Sequence, residues 1–199
     1  MPHDGQDITM TQTTILNDLL KLTVATLPHV DALLGEAKEN LRALVTQDGR
    51  ISGGLIEANQ TAAHGVAWLA TYAQALHQMQ AWAERLSADG KFGETEHLLH
   101  QIAFGEYLAQ IYGGIQMNQG EMIRLHDLGI QAAQMPQDVI RLVHAGNTQG
   151  ARSKLVDLMQ EHAANVTVGI SGLDDELEMI RGQFRRFAVE KVEPFAHEW

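Results

Sequence analysis

The sequence predicts an all-α protein: an antiparallel helical bundle over most of its length, followed by one further helix that leads a second domain. Three observations carry this. Apolar residues recur at steps of three and four in segment after segment, which lays a stripe along one face of a helix. Few runs alternate with a period of two, so no convincing strand is expected. Glycine, proline and short polar clusters punctuate the stripes where helices need to stop and turn.

Composition bounds the reading. A chain of 199 residues is long enough for one sizeable core, or for one core and the start of another. With 45% hydrophobic and 20% charged residues it is a folding sequence rather than a disordered one. The net charge of −11 and the lack of any Lys/Arg run argue against nucleic acid or an anionic membrane as partner. There is no cysteine, which excludes disulfides, thiolate-held metal and thiol catalysis. The opening MPHDGQDITM has neither a basic nor an apolar stretch of the kind a secretory signal carries. No apolar run reaches the roughly 18 residues of a membrane span, and the cytoplasm is the expected location.

Residues 1–11 read as a flexible polar tail. A bundle is expected over 12–167. Ile15, Leu16, Leu19, Leu20, Leu22, Val24 and Leu27 form a crowded helix that Pro28 ends or kinks. A second helix is expected from Pro28 to Thr46, with Val30, Leu33, Leu34, Ala37, Leu41, Leu44 and Val45 inward. Gln47-Asp48-Gly49-Arg50 is a turn, and Ser52-Gly53-Gly54 a flexible lead-in. From Leu55 to Leu86 one long helix carries two adjacent stripes: Val66, Leu69, Ala73, Leu76 and Ala83, and beside them Trp68, Tyr72, Met79, Trp82 and Leu86. Apolar on two faces, it belongs in the middle of the bundle.

After a turn at 87–93, a helix is expected from Glu94 to Tyr112, with Leu98, Ile102, Leu108 and Ile111 inward and Gly105 permitting close approach of a neighbour. Gly113-Gly114 ends or bends it. Ile115 to Gln134 reads as irregular or a short helix. Pro136 opens a helix running to Ala145. Gly146-Asn147 stops that one, and Thr148 caps the next, from Gln149 to Val166. Residues 168–172 are the expected linker. No fixed-period repeat is present.

The last stretch, 173–199, is a long amphipathic helix. Leu173, Leu177, Ile180, Phe184, Phe187, Val192, Phe195 and Trp199 form its stripe, and Asp174, Asp175 and Glu176 sit in the first turn, where the helix dipole favours carboxylates. The stripe is still running at Trp199, so the chain reads as the front part of something longer.

The run Phe187-Ala188-Val189-Glu190-Lys191-Val192-Glu193-Pro194-Phe195-Ala196-His197-Glu198-Trp199 resembles the first helix of the acyl-CoA dehydrogenase family, in which F-A-x-E-x-(V/I)-x-P-x-A-x-E-W is the approximate pattern. A helical extension of this size before that helix is similar to the methylsuccinyl-CoA branch of the family. The resemblance implies a parent enzyme that oxidises the α,β C–C bond of a branched dicarboxylic acyl-CoA, with FAD as cofactor and an electron-transfer flavoprotein as acceptor. It implies that the flavin-binding β-domain, the catalytic glutamate and the CoA tunnel lie beyond Trp199. The chain by itself is then expected to lack catalytic, cofactor-binding and metal residues, to hold no cofactor, and to be inactive. Its expected partners are the rest of the dehydrogenase chain and further copies in a homo-oligomer, not nucleic acid or membrane. The alternative is a non-enzymatic helical module for interaction or oligomerisation.

Gln110-Ile111-Tyr112-Gly113-Gly114, followed by Arg124, Asp127 and Ile130, resembles the family's Q-x-x-G-G segment, which approaches the dinucleotide part of a neighbouring subunit's flavin. Paired glycines at a helix end let backbone N–H groups near a pyrophosphate. Here Gln116 replaces the third glycine, two residues are missing before Arg124, and Gln131-Ala132-Ala133-Gln134 stands where many members keep Y-E-G-T and their base. The front bundle is thus expected to be a diverged cousin of the family's C-terminal helical domain without that base. The plain alternative is that Gly113-Gly114 stops a helix.

Glu94-Thr95-Glu96-His97, with His100 a turn further on, is a lone E-x-x-H; a dimetal bundle needs two, so a solvated polar face is expected instead. His64 and His77 are expected to be hydrogen-bonded interior or boundary residues. Ser153 and Ser171 have no base nearby in sequence, and the Trp68, Met79 and Trp82 stripe is expected to be core.

Overall fold

The computed structural model describes residues 14–131, 134–161 and 168–198. These fall into two compact units, one ending at Gly169 and one beginning at Ile170. The expected tail at 1–11, the end of the Gln149–Val166 helix and Trp199 lie outside the described residues.

The first unit is a helical bundle. Helix α1 spans Leu19–Val45, α2 Gly53–Ala58, α3 Gln60–Ala88, α4 Glu94–Gly113, α5 Gln137–Ala145 and α6 Gln149–Glu161. Two short antiparallel hairpins interrupt them: β1 Thr46–Gln47 with β2 Arg50–Ile51, and β3 Ile115–Asn118 with β4 Glu121–Ile123. A 3₁₀ turn covers Leu125–Leu128.

Helix α1 runs antiparallel to α3: Thr23 meets Gln80 near one end and Asp31 meets His77 further along. Helix α3 in turn opposes α4, with Trp82 beside His100 and Tyr72 beside Gln110. The core lies between these three, where Val30, Ala37, Leu69, Leu76, Phe104 and Leu108 are fully buried; α5 adds Val139 and Leu142. A smaller cluster of Leu98, Ala151 and Leu158 joins α4 to α6. Gly105 is the close approach between α4 and the end of α5, since a Cβ there would lie 2.8 Å from the Leu142 carbonyl.

The structure corrects four expectations. Pro28 does not end the first helix: α1 runs through it from Leu19 to Val45. Pro28 and Val24, whose carbonyl loses its partner, are both on the exposed face, where water can reach that carbonyl, while Leu27 and Val30 continue the buried stripe. The long Leu55–Leu86 pattern is broken at Asn59 into α2 and α3. Strands do occur. Asp48 and Gly49 both take positive φ, 49° and 72°, as a two-residue hairpin turn requires. Finally, 115–123 is a hairpin rather than an irregular or helical stretch. Ile115 and Ile123 are cross-strand partners and both buried, and Gly65 of α3 leaves the space Ile123 fills, a Cβ there being 2.8 Å from it.

The second unit contains α7, Asp175–Phe187, capped by the Asp174 carboxylate, which accepts from the Leu177 N–H at 2.8 Å. Where one long helix is expected, the backbone passes at Ala188 into a π turn and at Glu193 into a 3₁₀ turn. The five-residue step from Phe187 to Val192 falls on the π turn, and Pro194 cannot donate to the helical ladder. No described residue of this unit is buried.

Candidate functional site

Helix α4 brings most of the chemistry-bearing side chains of the first unit together. Along one face, Leu99, Ile102, Ala103, Tyr107, Leu155 and Val156 form an open apolar groove of about 670 Å³, with Tyr72, Glu106, Gln110 and Arg152 at its polar side. The polar residues are joined in one network. The Tyr72 hydroxyl donates to Gln110 Oε1 at 2.6 Å, and Gln110 Nε2 donates to Glu106 Oε1 at 2.8 Å. Glu106 Oε2 accepts from Asn147 Nδ2 at 2.6 Å and from Arg152 at 3.2 Å, and Arg152 Nε donates to Asn147 Oδ1 at 2.6 Å.

Both Glu106 oxygens are thus engaged, and the network fastens α3, α4, the Asn147 corner and α6. Burial, then the neighbouring Tyr107 and Glu106, raise the Tyr72 phenol, so it stays a donor at neutral pH. This is structural chemistry: every polar group named serves another one. The i, i+4 spacing of Glu106 and Gln110 is visible in the sequence, but the three partners from other elements are not.

Gln110 is therefore bound inside the chain. Gly114 takes φ 135°, and a Cβ there would lie 2.6 Å from the Met122 sulfur, so this glycine admits the β4 side chain beside the end of α4. Gly113 is the last residue of α4 and has open space where a Cβ would stand. Asp127 lies in the 3₁₀ turn and Arg124 is the residue before it, whose N–H donates to the Asp127 carboxylate at 2.8 Å.

The E-x-x-H run begins α4. Glu96 folds back to accept from the Gly93 N–H at 3.1 Å, and His97 Nδ1 lies 2.7 Å from the Gly93 carbonyl with its ring 4.1 Å from Phe92. His100 corrects the expectation of a solvated face. It is fully buried among Trp82, Phe92 and Phe104, with the Phe104 ring centroid 4.6 Å away. Among the described residues no group of three or more His, Asp or Glu could hold a metal ion.

The His100 tautomer follows from its neighbours. Exposed Glu84 only accepts, so Gln80 turns Nε2 to it at 2.9 Å and Oε1 to Thr23. Thr23 then donates to Gln80 Oε1 at 2.6 Å, and its oxygen receives the Nε2–H of His100 at 3.2 Å. Nδ1 is left as a bare lone pair, buried without a partner. Burial, and after it the neighbouring His97, lower the His100 pKa to about 4.

His64 accepts from the Trp68 indole at 2.9 Å on the exposed side of α3, and His77 contacts Asp31 at 2.9 Å; both are hydrogen-bonded, as expected, although His64 is not interior. Ser153 accepts from Gln149, and the Ser171 hydroxyl is taken by Glu178 within the second unit. Sequence reasoning missed Gln101. Fully buried, it accepts from the Leu16 N–H at 3.0 Å and donates to the Thr14 and Gly146 carbonyls at 2.8 and 3.1 Å. Its partners lie too far along the chain for any local pattern to reveal.

Among the described residues no helix is long and apolar enough to cross a membrane. No protein-family model matches the chain. Over 190 residues, 96% of its length, the chain is 53% identical to a (2S)-methylsuccinyl-CoA dehydrogenase from Cereibacter sphaeroides. It spans 35% of that protein, about a third. The similarity to an acyl-CoA dehydrogenase therefore extends from the terminal helix through the helical bundle before it.

Proposed function

We propose that this chain is the amino-terminal part of a flavin-dependent acyl-CoA dehydrogenase acting on methylsuccinyl-CoA. The observation that carries the reading is 53% identity sustained over 190 residues, bundle and terminal helix together. In such an enzyme a glutamate removes the α-proton of the thioester, FAD takes the β-hydride, and an electron-transfer flavoprotein accepts the electrons. The base, the flavin site and the CoA tunnel belong to the part that follows this chain. The helical unit is then an extension that precedes the dehydrogenase domain, and 173–199 is the first helix of that domain, joined through 168–172.

The geometry supports a scaffolding role for the extension. Gln110 and Glu106, the polar residues nearest to a family motif, are held by Tyr72, Asn147 and Arg152 rather than turned outward. The extension retains the helix-ending glycines of a family-type helical domain without its catalytic carboxylate.

The test is expression of two chains, residues 1–199 and the reading frame continued beyond Trp199. The shorter chain is expected to be helical, colourless and inactive. The longer one is expected to carry flavin and to bleach on addition of methylsuccinyl-CoA. Stoichiometric flavin on the shorter chain would overturn the division of labour. A frame that continues into no flavin-binding domain would leave a helical interaction module.

A further inference from the structure

Three Asp–Gly peptides occur in the sequence, at Asp4, Asp48 and Asp89, and the last two lie among the described residues. In such a pair a side-chain carboxyl stands next to a backbone nitrogen that no Cβ of the following residue crowds. The fold treats the two described pairs differently. Asp89 closes α3, and its own N–H donates to the Arg85 and Ser87 carbonyls. The Gly90 N–H donates to the Ser87 carbonyl at 3.1 Å, and the Lys91 N–H to the Leu86 carbonyl at 2.8 Å. The Asp89 carboxylate lies 3.6 Å from the Lys91 ammonium. This pair is locked.

Asp48 and Gly49 are the two central residues of the β1–β2 turn, between Gln47 and its partner Arg50. In a turn of this kind the N–H of the second central residue takes no part in the ladder. Among the described residues no hydrogen bond or ion pair engages the Gly49 N–H or the Asp48 carboxylate. Both residues are exposed, and a Cβ built on Gly49 would meet nothing within 4 Å. The ladder is only two residue pairs long, Gln47 with Arg50 and Thr46 with Ile51, so it opens locally at little cost. This pair is free to react.

We propose that Asp48 is a modification site, at which the folded chain isomerises to L-isoaspartate through a succinimide. The Gly49 nitrogen gives up its proton and attacks Cγ of the protonated Asp48 carboxyl. A C–N bond forms, a C–O bond breaks, and the hydroxyl leaves as water. A second water then opens the ring. Addition at Cγ restores aspartate; addition at the main-chain carbonyl carbon of Asp48 leaves the chain running through Cγ. One water leaves and one returns, so the mass is unchanged and no oxidant or co-reactant is consumed.

The isomer carries one more backbone carbon in a turn that requires positive φ at both central residues, so the hairpin does not re-form in register. The bundle tolerates this, because β1 and β2 bury no residue, and the product accumulates in folded protein. The turn also stands clear of the end at which the chain leaves the bundle. Gly169 lies against Leu99, next to His100, which meets Thr23 near the start of α1. From Thr23 to Val45, α1 rises roughly 30 Å towards the turn. The inference is independent of the enzymatic reading.

The experiment ages the purified 199-residue chain at physiological pH and temperature. Isoaspartate is read by methyl transfer from labelled S-adenosylmethionine with an L-isoaspartate methyltransferase, and peptide mapping separates Asp48 from Asp89 and Asp4. Isoaspartate at Asp48 should exceed that at Asp89 by about tenfold, the difference between a frayed turn and a capped helix end. Asp48→Asn, which expels ammonia in place of water, should reach the same isoaspartate faster and sets the clock. An Asp48 still unmodified when Asp48→Asn has converted, a turn at which neither residue converts, or an Asp89 that isomerises as fast would each overturn the proposal. None of these outcomes touches the enzymatic reading, which is decided by flavin on the longer chain.

Discussion

Gly105 of α4 faces the carbonyl of Leu142 in α5, so close that a methyl group on the glycine would lie 2.8 Å from the oxygen. Asn147 closes the same gap, 3.1 Å from that position. Gly105→Ala must therefore push α5 off α4, and backbone gives way less easily than a side chain. A loss of about 1–3 kcal/mol is expected in chemical denaturation. Gly113→Ala, with open space at its Cβ, should cost less than about 1 kcal/mol.

His100 makes stability depend on pH. The folded imidazole takes a proton only near pH 4, against 6.5 for an ordinary histidine. Protons thus favour the unfolded chain as pH falls from 6.5 towards 4, and about 3 kcal/mol is lost across that window. Above pH 6.5 the contribution is fully present. Denaturation midpoints measured at intervals from pH 7 to 4 should fall in the native chain and flatten in His100→Leu. An equal slope in both would assign the effect to other groups.

Thr23 is the middle of the relay from His100 to Glu84. Thr23→Val keeps the shape but strands the Gln80 oxygen and the His100 N–H, both inside the core. The expected cost is about 1–3 kcal/mol, read from thermal or chemical unfolding.

Leu69 is fully buried, whereas His97 sits at the rim against Phe92 and the Gly93 carbonyl. Leu69→Ala should cost about 3 kcal/mol and His97→Ala about 1 or less. A large loss for His97→Ala would show that the start of α4 depends on this ring.

Removing 173–199 should leave the melting temperature of the bundle nearly unchanged while reducing self-association. The basis is the exposure of Leu177, Ile180, Phe184 and Phe187 on α7 and the division into two compact units after Gly169. If the bundle unfolds with the deletion, the terminal helix is a core element of it.

Periodicity was sufficient for the helices because burial and spacing express the same geometry. The Val66, Leu69, Ala73, Leu76 and Ala83 stripe is buried residue for residue. It failed where a local rule met a distant one. Proline is a helix breaker until the carbonyl it leaves unpaired falls on the wet face, as that of Val24 does before Pro28. Ile115 and Ile123 look like isolated apolar residues until Gly65 provides the cavity that makes them a hairpin.

The site was less legible. Gln110 and Gly114 stood out by resemblance, but Tyr72, Asn147, Arg152 and Met122 explain both, and they lie on other elements. His100 looked solvated because it follows a charged run. One turn of helix carries it from the rim into the core.

Gln101 has a consequence for how the protein is made. It ties Leu16 and Thr14, among the first residues of the bundle to leave the ribosome, to the Gly146 carbonyl at the far end of α5. The beginning of the chain therefore has no hydrogen-bonding partner there until residue 101 has emerged, and Gly146 completes the corner later. At about 5–20 residues per second of synthesis, the wait for Gln101 is on the order of 10 s. A nascent chain arrested before Gln101 should be cut readily near its start, and one arrested well past α6 should resist.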